Sequence, residues 1–416
     1  MYKFFFGLII LVYSALCAYS GMRVLSFMRF FLPVIKPVFF WLPYSLLCYG
    51  LVFTSFIRLG RLRFPHHLGV YWMAVFVYLL MAFAAFDIVR LIIRLCAKNI
   101  LTPQFNAIGT GAAICLCIIM IFFGALHARS IKTVNYGVNL QGYGNNLRIA
   151  LVSDLHIGST VNSSWVSRVV DAINGSKPDI VCIAGDVFDG NVNNISGLPL
   201  IIAQLKRIDA PLGVYACLGN HDVDRFSLSM GAGNEKITGA LQEANITVLE
   251  DEVRPVGGVY LAGRRDARPI GGAGGKNLRK TAAELLAGFE GRPLIVMDHQ
   301  PVQFAQIEQA GAGLMLSGHT HKGQLFPANF ITGMIFKKAG AAHYGHFRGG
   351  AAQAVITSGA GVWGPPLRVG TKSEVAVIDI TFSGGEPRAA DAVDAVDAAD
   401  AAQRDDAVDA AAQQKE

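Results

Sequence analysis

Seven residues of three types stand in five short polar fragments: Asp154-Leu155-His156, Gly185-Asp186, Gly219-Asn220-His221-Asp222, Asp298-His299 and Gly318-His319-Thr320-His321. Asp154, His156, Asp186, Asn220, His299, His319 and His321 offer carboxylate and carboxamide oxygens and imidazole nitrogens. That mixture suits Mn, Fe, Zn or Co better than Mg or Ca. Two such cations held about 3.5–4 Å apart can activate a water for in-line attack on phosphorus. In Asp154-x-His156, residues two apart on extended chain point the same way, so both can reach one ion. Asp186 follows a glycine that lets the chain turn sharply, and a carboxylate can bridge two cations. Asn220 adds an oxygen without adding charge. The chemistry this set could do is metal-dependent hydrolysis of a phosphoester or pyrophosphate.

Such residues act together only if the chain gathers them. Each fragment follows a short apolar run, and the pattern predicts strands over 147–153, 179–184, 213–218, 246–249, 258–262, 293–297, 314–317, 353–357 and 374–381. Between the first two, Asn162 reads as a helix cap, followed by Trp165, Val166, Val169, Val170 and Ile173 on one face. Segments 196–208, 235–244 and 280–289 read as further helices. Alternating strands and helices predict an α/β domain with a largely buried sheet covered on both faces. Loops at the carboxyl ends of such strands gather into one crevice, and every candidate ligand lies at such an end. Other polar residues take blander readings. Asp189 is expected in a turn, Arg264 and Arg265 at the surface, and His343 and His346 in a glycine-rich loop, 339–351, able to fold over the crevice.

The order and spacing of these motifs resemble the calcineurin-like metallophosphoesterase superfamily over residues 147–383. The resemblance implies a four-layer αββα sandwich. It implies one metal on Asp154, His156, Asp186 and His321, and a second on Asp186, Asn220, His299 and His319. His221 matches the family histidine that protonates the leaving oxygen, a general-acid role. Asp222 is expected to hold that loop in place. A hydrophobic N-terminus, Gln324 after Gly-His-Thr-His, Ser358-Gly-Ala-Gly and Pro366-Leu-Arg368 resemble the membrane-associated branch, which includes phosphodiesterases acting on UDP-diacylglucosamine. Lys322 stands where that branch commonly has glycine and is equally readable as a phosphate contact or a solvated cation. Arg368 is a candidate phosphate contact by the same resemblance.

The rest of the 416 residues are of different character. Residues 1–130 contain four apolar stretches near the roughly 20 residues a bilayer requires: about 4–22, 38–57, 69–89 and 107–126. Basic residues flank them six against six, so the positive-inside rule chooses no orientation. An even number of spans puts the N-terminus and the α/β domain on one side of the membrane. Asp87 is the one acid inside these stretches, and pairing with Arg90 or Arg94 is expected. Net charge is +6, but 386–416 holds nine acidic and three basic residues, leaving +12 for the remainder. Much of that surplus flanks apolar stretches, where it anchors helices, so nucleic acid is not the expected partner. Residues 384–416 read as a disordered acidic tail. Seven cysteines show no metal or disulfide spacing.

The sequence thus predicts an integral protein of a bacterial-type inner or plasma membrane, carrying a phosphohydrolase domain with two divalent cations. Cys182 and Cys217, unpaired in predicted strands, lean the domain to the cytoplasmic side. Membrane lipids and a phosphorylated, lipid-linked substrate are the expected partners. A tethered general phosphodiesterase or nuclease, and a membrane sensor or transporter with a regulatory metal domain, are the alternatives.

Overall fold

The structure, a computed structural model, describes residues 2–384 except 57–62, 159, 190, 191, 193, 194, 223–231 and 268–278. The expected acidic tail therefore lies outside the described residues, Gly384 apart. Two compact units divide the chain: Met1–Leu126 with Gly364–Val369, and His127–Trp363 with Gly370–Glu416.

The first unit is built on four helices, α1 (Tyr2–Phe31), α2 (Pro37–Phe56), α3 (Arg63–Cys96) and α4 (Pro103–Arg129). Among the described residues, three helices are long and apolar enough to cross a membrane: Phe4–Phe31, Leu68–Cys96 and Pro103–Arg129. Three of the predicted stretches fall within these. The fourth, 38–57, falls on α2, which is not among the three and ends beside residues that are not described. Large side chains such as Phe5, Ile9, Leu11, Ile118 and Phe122 stay exposed. Helix is the conformation that satisfies the backbone of such a segment internally when no water is at hand. Smaller contacts join the helices. Cys17, Phe40, Tyr44, Cys48 and Phe76 form one buried cluster. Asp87 accepts a hydrogen bond from the Tyr19 hydroxyl at 2.6 Å and pairs with Arg90 at 3.1 Å. It also pairs with Arg23 of α1, a partner from another helix that spacing along the sequence does not reveal.

The second unit holds two six-stranded sheets. In the first, the order is β1 (Lys132–Leu140), β12 (Glu374–Phe382), β2 (Leu147–Val152), β3 (Ile180–Ala184), β4 (Val214–Cys217) and β5 (Thr247–Val248). In the second it is β10 (Gly345–Arg348), β11 (Gln353–Ile356), β9 (Leu314–Ser317), β8 (Leu294–Met297), β7 (Val259–Gly263) and β6 (Glu252–Val256). Neighbours pair in parallel except β12–β2, β10–β11 and β6–β7.

Period-two alternation sends successive side chains of each strand to opposite faces. Ile149, Leu151, Ile180 and Cys182 of the first sheet meet Leu261, Ile295, Met297, Leu316 and Val355 of the second. On its other face the first sheet places Ala150, Val152, Val181 and Ile183 against Trp165, Val169 and Ile173 of α5 (Ser163–Gly175) and Ile201 of α6 (Leu198–Leu205). Ile237 and Leu241 of α7 (Ala232–Glu243) join the same cluster. The second sheet's outer face packs Leu294, Val296 and Met315 against Leu285 of α8 (Ala282–Leu286) and Ile307 of α9 (Phe304–Gln309). The layers are helices, sheet, sheet, helices. This is the four-layer arrangement that the resemblance implies: each sheet is covered on both faces, by helices on one and by its partner sheet on the other. The cap expected on α5 is present, with Asn162 Oδ1 accepting the Trp165 N–H at 3.1 Å.

Three strands were not predicted. β1 is an outer strand with mixed polar residues, β6 contains Pro255, and β10 has four residues in a glycine-rich stretch. Nor were two helices, α9 and, after the second sheet's motif, α10 (Ala328–Lys338).

Candidate metal centre

Five strand ends converge. β2 runs into Asp154, β3 into Asp186, β4 into Asn220, β8 into His299, and β9 into His319 and His321. The first two loops are zipped together by the backbone: Asp154 N donates to Gly185 O and His156 N to Asp186 O, each at 3.0 Å. The His319 N–H then ties the second sheet to the first by donating to the Asp154 carboxylate at 3.0–3.1 Å. All seven candidate ligands are brought together, from both sheets.

Six of their side chains fall into two groups whose ligand atoms lie within 4.8 Å of one another, Asp154, His156 and His321, and Asp186, His299 and His319, and His156 forms a further such group with Asp189 and His221. His156 Nε2 is 3.1 Å from His321 Nε2 and 3.6 Å from Asp186 Oδ2, and His321 Nε2 is 3.4 Å from Asp154 Oδ1. On the other side, His299 Nε2 is 3.1 Å from Asp186 Oδ2 and 3.1 Å from Asn220 Oδ1. His319 Nδ1 is 2.8 Å from the same Asn220 oxygen. Asp186 thus faces both groups.

The arrangement fits a divalent cation. His299 Nδ1 sits 2.8 Å from the Ala184 carbonyl, a partner that calls for a proton on that nitrogen and leaves Nε2 with its lone pair. That lone pair then faces the oxygens of Asp186 and Asn220, acceptors opposing an acceptor. A positive charge at the centre, a proton on Nε2 or a cation, relieves this. Burial pushes His156 and His319 down to about 4, which keeps both imidazoles neutral and available as ligands. Burial works against a charge on Asp186 and on His299, but each outweighs it for the other. Asp186 is held well below the usual carboxylate range and His299 is raised above the usual imidazole range. A bound cation would take over the role of that proton.

The backbone is strained where it does this. Asp154, His156, Asp186, His319 and His321 all have φ between 47° and 69°, the left-handed region that non-glycine residues rarely enter. Such strain persists only where surrounding structure over-determines it, and it clusters at functional sites. Two glycines make the close approach possible. A Cβ on Gly219 would strike the Asp186 carboxylate, and one on Gly318 would strike Ser153 and Asp154.

Around the ligands, Asp222 is fully buried and accepts N–H groups from Val187, Phe188 and Gly219 at 2.8–3.1 Å. It joins the loop after β3 to the loop after β4. The His221 N–H donates to Asp186 Oδ1 at 2.8 Å. Asp189, expected in a turn without further role, has Oδ1 3.2 Å from His221 Nδ1. It orients the imidazole, and its three-residue spacing from Asp186 was the available signal. Sequence reasoning also missed Trp363, whose ring centroid is 6.0 Å from that of His221. Gln324 clamps its backbone twice, donating Nε2–H to Trp363 O and accepting Trp363 N–H, both at 2.9 Å.

The remaining candidates separate. Lys322 follows His321 at φ 52° and lies with Nζ 3.7 Å from the Tyr344 ring centroid. Arg368 is buried in Gly364–Val369, the segment that clusters with the helices, where its N–H donates to Gly124 O at 2.9 Å. His343 belongs to a loop whose carbonyl accepts the Thr320 hydroxyl at 2.6 Å, whereas His346 lies in β10, with Nε2 2.9 Å from Gln353 Oε1. Arg264 is not at the surface but fully buried, 2.9 Å from Asp298 Oδ2, which Arg279 also meets. Its position is clear only from pairing, since β7 and β8 lie side by side. This buried charge cluster sits directly before His299. Asp298→Leu should destabilise the unit by about 3–5 kcal/mol, because two guanidinium groups lose their buried counter-charge. Urea denaturation followed by tryptophan fluorescence measures it, and an unchanged midpoint would refute the assignment.

A two-sheet sandwich with strand-end carboxylates and histidines gathered around a shared aspartate is an arrangement able to hold divalent metal. Residues 147–323 match the family model described as calcineurin-like phosphoesterase, and the chain carries a domain of that family, a phosphoester hydrolase domain. Relatives agree. The chain is 26% identical over 302 residues to an uncharacterized metallophosphoesterase of Campylobacter jejuni, covering 71% of this chain and 76% of that one. It is 30% identical over 251 residues to one from Helicobacter pylori, covering 58% and 61%. It is 33% identical over 246 residues to a Danio rerio protein called a transmembrane protein with metallophosphoesterase domain, covering 56% and 53%. The chain thus spans between half and three quarters of the length of these relatives.

Proposed function

We propose that this protein is a membrane-anchored phosphohydrolase that uses two divalent cations to cleave a phosphoester or pyrophosphate bond of an amphiphilic, nucleotide-linked substrate. The observation that carries the reading is that Asp186, grouped with His299 at 3.1 Å, also lies 3.6 Å from His156 of the other ligand group. Asp154, His156, Asp186 and His321 would hold one ion; Asp186, Asn220, His299 and His319 the other. When bound, such ions lower the pKa of water and neutralise charge on phosphate oxygens. The chain's own residues supply the rest. His221 gives a proton to the leaving oxygen, and Asp189 fixes its ring by engaging Nδ1. Lys322 offers a cation to a second phosphate. Arg368 is kept as a phosphate contact on the resemblance alone.

Membrane anchoring rests on the three long apolar helices and on relatives whose names include a transmembrane description. In this reading α2 is a fourth span, so the N-terminus and the catalytic unit share the cytoplasmic side. Buried, unpaired Cys182 and Cys217 suit that compartment.

The test uses the full-length protein in detergent with bis(4-nitrophenyl) phosphate. Mn²⁺ should support turnover, EDTA should abolish it, and re-added Mn²⁺ should restore it. Turnover that survives EDTA and dialysis would overturn the metal assignment. A strong preference for single-stranded DNA or cyclic nucleotides over a nucleotide-linked lipid would replace the lipid part of the reading.

A further inference from the structure

No residue of α10, all of them described, is buried. Phe330, Ile331, Met334 and Ile335 are 62%, 47%, 64% and 60% exposed. Spaced at i, i+1, i+4 and i+5, they form one apolar helix face. In a water-soluble unit such a face normally packs on a neighbour. Here it borders a groove of about 690 Å³ between α10 and the following loop, with Phe330, Met334, Ala341 and Phe347 in its walls. Lys322 and Lys337 also line it, and among the described lining residues none is acidic.

The groove is tied to the metal centre. Lys322 directly follows His321, and the His343 carbonyl, also in the groove lining, accepts the Thr320 hydroxyl between His319 and His321. At Gly323 the backbone of Ala328 and Asn329 comes within 2.5 Å of where a Cβ would stand, which seats the start of α10 against the same loop. The volume falls within the 300–1,000 Å³ or so typical of small-ligand sites. Apolar walls with a cation at the metal end complement one kind of molecule, an anionic phosphate bearing a hydrocarbon chain.

We infer that this groove takes the hydrocarbon chain of the substrate while Lys322 meets its phosphate. The inference rests on the phosphohydrolase reading above and deepens it. An open apolar groove with a cation beside the metal loop suits a chain that carries a phosphate, whereas a bilayer surface or a second copy would meet the outer face of α10.

The experiment compares methyl, butyl, octyl and dodecyl 4-nitrophenyl phosphodiesters, with Mn²⁺ and the full-length protein in nanodiscs. kcat/KM should rise by up to about fourfold for each methylene that becomes buried, then level off once the groove is full. Phe330→Ser with Met334→Ser should flatten the rise. Ala341→Phe, which shortens the channel but keeps its surface apolar, should move the plateau to shorter chains. Equal rates for all esters would overturn the inference. So would a rise that neither variant alters, which would show partition into the bilayer, or a double variant whose only effect is loss of self-association. If no ester is cleaved, the phosphohydrolase reading fails first. The groove is then judged separately by dialysis binding of octyl phosphate, which the wild type should bind and the double variant should not; absence of binding to the wild type overturns it.

Discussion

Asp186→Asn is expected to lower kcat/KM by about 10³-fold or more on any phosphodiester, with a folded state close to that of the wild type. The carboxylate of Asp186 is the common neighbour of His156 and His299 and also accepts the His221 N–H through Oδ1. The carboxamide keeps an oxygen for that N–H, so the loop after β4 need not move. What it removes is the negative charge that would offset the proposed pair of cations, and a loss of several kcal/mol of charge stabilisation corresponds to three or more decades in rate. Metal content by mass spectrometry should fall from two ions toward one or none in the same variant. Full metal content together with full activity would remove Asp186 from the centre of the mechanism.

His221→Asn should cost 10²- to 10⁴-fold, the usual range for a lost general acid, and the loss should depend on the leaving group. Nitrophenolate leaves without help from a proton, so aryl esters should suffer least. Alkyl esters, whose alkoxide is a poor leaving group, should suffer most. Asp189→Asn should show the same trend with a smaller loss, about 10- to 100-fold by analogy with groups that orient a ligand histidine. Its Oδ1 lies 3.2 Å from Nδ1 of the ring. A plot of log kcat against leaving-group pKa for the three proteins reads this directly. Parallel lines would mean that His221 binds phosphate rather than donating a proton.

The parts of the molecule legible in the sequence were those whose signal is local. β3, β8 and β9 are uninterrupted apolar runs, and β2 is broken by Arg148 alone; each ends in a polar motif, so both the strand and its polar end were readable. Two kinds of feature were not. Strands at the margins, β1 and β10, carry polar or glycine-rich sequence because the sheet does not bury both their faces, and Pro255 disguised β6. Relations between distant residues were also silent. Arg264 looks like any surface arginine until β7 is laid beside β8, which sets Asp298 within reach. Asp87 likewise finds Arg23 and Tyr19 only once α1 and α3 are packed. α10 was hidden for a third reason. Its start is Pro327 with no side-chain cap, and it has no buried stripe to set a period against a polar face.

Asp154, His156, Asp186 and Asn220 extend from one sheet, and His299, His319 and His321 from the other. Between the sheets lies an apolar cluster that includes Ile149, Leu151, Ile295 and Met297, whose mutual attraction is non-directional. Cations held by all seven residues would therefore act as rivets through the seam of the sandwich. Unfolding would have to release them, and each would lend its binding free energy to the folded state by mass action. Divalent ion supply would then set the durability of the protein as well as its turnover, and a chain starved of metal would lose its grip on both sheets at once.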